Sequence, residues 1–317
     1  MIDTSTEPEH TAFVFPGQGT QYVGMGQAVY HASHAARGIF HQADEVLEFQ
    51  LSKLCFEGPD DELQDTVNAQ PAILTVSVAC LAALREKWNA LGRDLKPVFV
   101  AGHSLGEYTA LVAADVLDFA DALLLVRERG RLMKESGDHQ PGGMAAVIGL
   151  SLEELQAICD EAGTAGVIVI ANSNSPEQTV ISGALPALDR AIELARERGA
   201  RSVVPLRISI ASHSPLMQRA ALQLAELVAH MRFREPTMPV VANIQGQILT
   251  TADEIRRELA EQICRPVEWT RSIRQMVEHG ADTFVEIGPG QVLSRLIRRI
   301  NREVRTHSLN EKQIAKL

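Results

Sequence analysis

Apolar runs of strand length alternate with longer segments of helical period along most of this chain, and that alternation predicts a mixed α/β fold. Thr11–Phe15 reads as a strand, followed by a glycine-rich loop over Pro16–Gln21 and a helix near Met25–Tyr30. Helical periodicity covers 35–55 and 71–93, with Pro71 at a first helical position. Val98–Ala101 reads as a buried strand, and Asp118–Ser136 as a helix. The texture then changes. Gly142-Gly143 opens a strand, Met144–Leu150, and Ser151 with Glu154 has capping-box spacing ahead of a helix ending near Gly163. Val167–Ala171 and Thr179–Ser182 read as strands joined by the turn-rich run Asn172–Pro176. Pro186–Arg198 is a helix and Ser202–Leu206 a strand. That order, β-α-β-β-α-β, is the ferredoxin-like signature. It predicts a small domain over 139–208, inserted into a larger discontinuous α/β domain of 1–138 and 209–317. In the second part of that larger domain, Ile208–Ala211, Val240–Asn243 and Thr283–Ile287 read as strands. Helices are predicted over Pro215–Met231, Thr250–Ile263, Pro266–His279 and Val292–Val304.

Composition narrows the classes. With 317 residues there is enough chain for one large or two modest domains. A net charge of -10 argues against a general nucleic-acid binder, which needs a basic surface. Cys55, Cys80, Cys159 and Cys264 have neither zinc-site nor disulfide spacing, which points to a reducing compartment and no structural metal. The first ten residues are polar and acidic, unlike a signal peptide. No uninterrupted apolar run is long enough to span a bilayer. The expectation is a cytoplasmic protein with no membrane partner.

The stretch around residue 104 carries the chemistry. Gly102-His103-Ser104-Leu105-Gly106 follows a predicted strand and opens an Ala/Leu-rich helix, which is the nucleophile-elbow pattern. Glycines flank the serine because such a turn leaves no room for a Cβ. The N–H groups that open the helix can hold an oxyanion. A serine nucleophile needs a base. His103 is adjacent to Ser104, so its side chain should point away from the hydroxyl. His213 follows the predicted strand Ile208–Ala211, at the sheet edge where α/β active sites gather. A base and a satisfied structural histidine both remain open for it on these grounds. Arg129 lies in an apolar helix and could hold a carboxylate through two parallel N–H bonds, but Arg127 and Arg131 share that helix and sequence alone does not separate the three. The loop Pro16–Gln21 could present N–H groups to an anion or be a plain strand-to-helix turn.

Six motifs in order make a family resemblance: Phe15–Gln21, Gly102–Glu107, Arg129-Gly130, Ala171–Pro176, His213–Met217 and Glu286–Gly290. From about Thr11 to Asn310 the chain closely resembles the malonyl-CoA:acyl carrier protein transacylases and the acyltransferase domains of polyketide synthases. The resemblance implies a hydrolase-like α/β core with a parallel sheet and a ferredoxin-like insertion. It implies malonyl transfer from coenzyme A to the phosphopantetheine thiol of an acyl carrier protein, in fatty acid or polyketide synthesis, by an acyl-serine route without a cofactor. Ser104 then matches the nucleophile and His213 its base. The family lacks a triad acid and orients its histidine with a backbone carbonyl, here matched by Gln262. The backbone N–H groups of Gln18 and Leu105 match the oxyanion hole, and Arg129 matches the arginine that pairs with the malonyl carboxylate. Ser212 and Met133 are assigned to the acyl pocket. Partners implied are the carrier protein and a coenzyme A thioester, with the enzyme a monomer.

One departure stands out. Malonyl-specific members carry Phe before the histidine, where this chain has Ser212 in Ile210-Ala211-Ser212-His213, similar to methylmalonyl-specific domains. Leu105 points the other way. One methylene is worth only about 1–3 kcal/mol of discrimination, so relaxed selectivity and a switch both fit. Two other functions compete. A serine thioesterase or hydrolase would share Ser104 and His213 but leave Arg129 on the surface. A non-catalytic carrier-binding module would show a damaged constellation.

Overall fold

The computed structural model describes residues 10–93, 96–206 and 208–316. Among the described residues ten strands form two sheets: β1 (Thr11–Phe15), β2 (Phe99–Gly102), β3 (Gly142–Ile148), β4 (Ile168–Ser175), β5 (Gln178–Ala184), β6 (Ser202–Pro205), β7 (Val240–Val241), β8 (Ile248–Leu249), β9 (Thr283–Ile287) and β10 (Arg305–Leu309).

The first sheet has the order β10-β9-β1-β2-β7-β8. Its pairings are parallel except β7 with β8, an antiparallel edge. Successive side chains of β1 enter opposite faces, as strand geometry requires. Phe13 and Phe15 join a core with the helices His34–Leu47, Thr66–Ala90, Phe119–His139 and Gln218–His230. Ala12 and Val14 join the core beneath Trp269–Glu278 and Val292–Ile300. Burial on both faces explains why the strands read as continuous apolar runs. The second sheet is antiparallel, β4-β5-β3-β6, with Leu152–Ala162 and Leu185–Glu197 packed on it over Ala145, Val147 and Ile181. This is the ferredoxin-like order, and the capping box at Ser151 and Glu154 is formed.

Several elements differ from the sequence reading. The helix expected to start at Pro71 starts at Thr66, where Asp65 accepts from Val67 N at 3.0 Å, and Pro71 sits inside it. That helix has the length and apolarity to cross a bilayer despite its polar interruptions, but 83% of its apolar window is buried, so it is the central core helix. Ile208–Ala211 is not a strand. Ile208 lines a cleft and Ile210 packs at Gly137 of the helix Phe119–His139, so the alternation reported burial without sheet pairing. Asn172–Ser175, expected as a turn, completes β4. It pairs with β5 through Asn172 with Val180, Ser173 with Thr179 and Ser175 with Gln178, and on its other side Ser173 N donates to Val267 O at 2.9 Å while Val267 N donates to the preceding Ala171 O at 2.8 Å. The helix expected from Pro266 begins at Trp269, and the last long helix ends at Ile300, leaving Arg305 on β10.

Candidate active site

The elbow between β2 and the helix Gly106–Ala113 is closed by its glycines. A Cβ on Gly102 would lie 1.9 Å from the backbone of Gly106, and one on Gly106 would lie 2.1 Å from Phe15 O. Neither position admits a side chain. Ser104 itself takes a left-handed φ of 51°, a strained conformation for a serine that turns its hydroxyl out of the sheet end. Asn243, just after β7, holds that turn from both sides. Its Oδ1 accepts from Ser104 N at 2.6 Å and its Nδ2 donates to Gly102 O at 2.7 Å.

His213 is also left-handed, with φ 59°, and is buried at 3% exposure. Its Nε2 lies 2.8 Å from Ser104 Oγ. Its Nδ1 lies 2.9 Å from Gln262 O and 3.0 Å from Arg265 O. Two carbonyls can only accept, so the proton sits on Nδ1 and Nε2 is left as the acceptor facing the serine. Burial first, then the charge of Arg129 and the neighbouring His103, push this imidazole down to about 3. His103 does turn away from the hydroxyl: its Nε2 meets Asn174 Oδ1 at 2.7 Å and its ring lies edge-on to Trp269.

The three arginines of one helix separate cleanly. Arg131 is exposed and paired with Glu128 and Glu135. Arg127 is half-buried, its guanidinium 4.6 Å from the Phe49 ring centroid. Arg129 is 1% exposed and points at Ser104. Its Nη1 donates to Gln70 Oε1 at 2.6 Å, and its Nη2 to Ser104 Oγ and Gln262 Oε1, both at 3.1 Å.

Ser104, His213, Arg129 and His103 line a cleft of about 250 Å³ between the two sheets. Gln18, Met133 and Ser212 line it from the first part of the fold, and Met144, Val180 and Leu206 from the second. Leu105 has a buried side chain and stands immediately before the helix Gly106–Ala113. Gly17 packs with no space for a Cβ against His103 O, at 2.3 Å, so the loop bearing Gln18 lies directly on the elbow. Gln262 is fully buried and contributes more than its carbonyl: its Nε2 donates to Ser104 O at 2.8 Å and to Glu107 Oε2 at 2.5 Å. Glu107 is pushed well above the usual carboxyl range by burial and by Glu258.

The sequence reading assigned no role to Gln70, Glu107, Asn243 or Arg265. Asn243 follows a strand that ends beside the elbow, and Gln70 is a polar residue in an apolar helix; those were the available signals. No group of three or more His, Cys, Asp and Glu side chains suited to a metal occurs among the described residues.

A serine on a strained turn, a neutral imidazole aimed at it and a buried cation above both form a site for acyl transfer. Residues 12–314 match the acyl transferase domain family. The chain is 42% identical over 307 residues to the malonyl CoA-acyl carrier protein transacylase of Bacillus subtilis, covering 96% of this chain and 95% of that one. This chain is an acyl transferase of the malonyl-CoA:acyl carrier protein transacylase family. The Escherichia coli K12 transacylase is also 42% identical, over 95% of this chain and 96% of its own. Among solved structures, the transacylase of Coxiella burnetii superposes with a TM-score of 0.92 at 40% identity, covering 98% of the acyl transferase and 96% of that chain. A malonyl-transacylase solved in complex with a type II PKS acyl-carrier protein has the same TM-score at 38% identity, covering 97% and 98%.

Proposed function

We propose that this enzyme moves a malonyl group from coenzyme A to the phosphopantetheine thiol of an acyl carrier protein through an ester on Ser104. His213 Nε2 takes the hydroxyl proton as Oγ attacks the thioester carbonyl. The backbone N–H groups of Gln18 and Leu105 hold the oxyanion, the C–S bond breaks, and the departing thiolate takes the proton from His213. The carrier thiol then reverses these steps. Arg129 holds the malonyl carboxylate, and Ser212 and Met133 border the acyl group. Segment 139–208 acts as a small domain that closes one side of the cleft, with 1–138 and 209–317 forming the large one. The relatives' names and the solved carrier complex support the carrier as acceptor. The exposed residues Arg295, Arg298 and Arg299 are on the helix whose Val292, Leu293 and Leu296 line the cleft, which favours an acidic partner docking at the cleft mouth.

The observation that carries this reading is the buried Arg129 beside the Ser104–His213 pair, because a generic hydrolase has no use for it. Replacing Arg129 by Ala is expected to cost at least about 2–5 kcal/mol with malonyl-CoA, the range for losing one partner of a buried charge pair. With acetyl-CoA the loss should be small or reversed, since no unpaired cation then faces a methyl group. Arg129→Lys should rescue only in part, because it keeps the charge and loses the fork. The measurement is kcat/KM for both donors. An equal drop for both would make Arg129 structural.

A further inference from the structure

Among the described residues no carboxylate hydrogen-bonds Arg129. Its three hydrogen-bond acceptors among these residues, Gln70 Oε1, Gln262 Oε1 and Ser104 Oγ, are neutral, and the Tyr108 ring centroid lies 5.5 Å from its Cζ. Its Nε has no partner among the described residues. The buried carboxyl of Glu107 is reached only through the amide of Gln262, and its own environment favours the neutral acid. A guanidinium with no carboxylate bonded to it therefore sits one hydroxyl away from the catalytic imidazole: Ser104 Oγ is 3.1 Å from Arg129 Nη2 and 2.8 Å from His213 Nε2.

That placement opposes the proton transfer the reaction needs. When Ser104 gives up its proton, His213 becomes a second cation in a buried site. Like charges in a poorly screened interior disfavour one another. The groups that face His213 are few. Arg129 from the helix Phe119–His139 and His103 from the elbow both oppose the imidazolium. The carbonyls of Gln262 and Arg265 on Nδ1 favour it. The Arg265 guanidinium is turned to Glu261 at 3.2 Å. No carboxylate pairs with His213 directly among the described residues.

We propose that the substrate's distal carboxylate is itself part of the acylation machinery: by neutralising Arg129 it lets His213 accept the Ser104 proton. This rests on the assignment of Arg129 to that carboxylate. In the step, the Oγ–H proton passes to Nε2, an Oγ–carbon bond forms at the thioester carbonyl, and the C–S bond breaks as the thiolate recovers the proton from Nε2. The malonyl carboxylate stays ionised throughout and is not consumed. Without it, the imidazolium and the guanidinium face each other unscreened. A neutral acyl donor thus loses twice, once in binding and once in the strength of the base. Selectivity for a dicarboxylic acyl group then resides in the chemical step as well as in recognition.

Single-turnover acylation of Ser104 at saturating donor, followed against pH, tests this, because its acid limb reports the base in the donor complex. With the wild type, the limb for malonyl-CoA is expected at least about one pH unit above the limb for acetyl-CoA, the scale of one nearby charge gained or lost. In Arg129→Ala the two limbs should coincide. In Arg129→Lys, which keeps a cation there, the split should persist. Coincident limbs in the wild type would overturn the proposal, whatever the variants do. The recognition reading has its own readout, the ratio of kcat/KM for malonyl-CoA over acetyl-CoA. Coincident wild-type limbs with a ratio that collapses in Arg129→Ala would refute the coupling and leave recognition standing. A ratio unmoved by Arg129→Ala would remove recognition, and the proposal with it.

Discussion

Asn243→Ala should loosen the nucleophile without touching substrate. The Asn243 side chain is 1% exposed, accepts from Ser104 N at 2.6 Å and donates to Gly102 O at 2.7 Å. Its placement is fixed in turn by Glu258, whose Oε1 accepts from the backbone N–H of Asn243 at 2.9 Å and of Ile244 at 2.8 Å. Truncation strands one buried N–H and one buried C=O, each costing about 1–3 kcal/mol when unsatisfied, so roughly 2–6 kcal/mol in all. At about 2 °C per kcal/mol, the low end for large domains, the melting temperature should fall by roughly 4–12 °C. The rate should suffer separately. Ser104 is held at a φ of 51° that it would not choose unaided, and these two bonds brace it there. A shift of the hydroxyl on the order of 1 Å costs up to about 10²-fold in rate, so malonyl-enzyme formation should slow by roughly 10–100-fold. Both readouts are accessible: thermal unfolding by calorimetry, and burst acylation by intact-protein mass spectrometry well below the melting temperature. A variant that melts within about 2 °C of wild type and acylates within twofold would show that the elbow glycines alone hold Ser104, and the bracing argument would fail.

Other outcomes follow from the same geometry. Ser104→Ala should form no malonyl adduct on incubation with malonyl-CoA, and His213→Ala should acylate roughly 10²–10⁴-fold more slowly, the usual worth of a positioned base. A malonyl mass on the first variant, or a near-wild-type rate for the second with a large loss in His103→Ala, would reverse the assignments. Ser212→Phe puts a ring into the cleft beside the acyl group and should lower methylmalonyl use relative to malonyl use by roughly 10–200-fold, the worth of about one methylene. An unchanged ratio would place the branch elsewhere. Charge reversal at Arg295, Arg298 and Arg299 should weaken transfer to the carrier protein and flatten its salt dependence, leaving acylation by malonyl-CoA unaffected. Unaltered transfer kinetics would take the docking surface off that helix.

The elbow was legible because its glycines are required by backbone crowding, and crowding of that kind leaves a short local pattern. The β-α-β-β-α-β order was legible for a similar reason, since each of its elements is bounded by caps and turns within a few residues. Where the reading slipped, strand pairing or its absence was the cause. Asn172–Ser175 has turn-forming composition, yet it stays extended because it pairs with β5 and Ser173 also donates to the carbonyl of Val267, far along the chain. Ile208–Ala211 has strand alternation but no neighbouring strand to pair with, and its apolar side chains are satisfied by the cleft and by Gly137.

Arg129 is the instructive case. Ala122, Val126, Arg129 and Met133 recur at helical spacing, and all four are buried, so Arg129 lies on the inward stripe, unlike the exposed Arg131. That phase does not choose it from the sequence, since Leu123 and Gly130 stand at the same helical spacing from Arg127. Nor does it reveal the neutrality of the surroundings. A buried arginine ordinarily calls for a carboxylate, and Glu107, in the same motif as Ser104, would be the natural guess. The fold instead interposes Gln262 between them and offers amide oxygens from Gln70 and Gln262. An acid at either amide position would pair with the guanidinium permanently and occupy the place of an incoming carboxylate. Gln70 and Gln262 are polar enough to keep the cation buried and uncharged enough to leave it available. That property depends on three chain segments meeting at one point, and no local pattern in any of them encodes it.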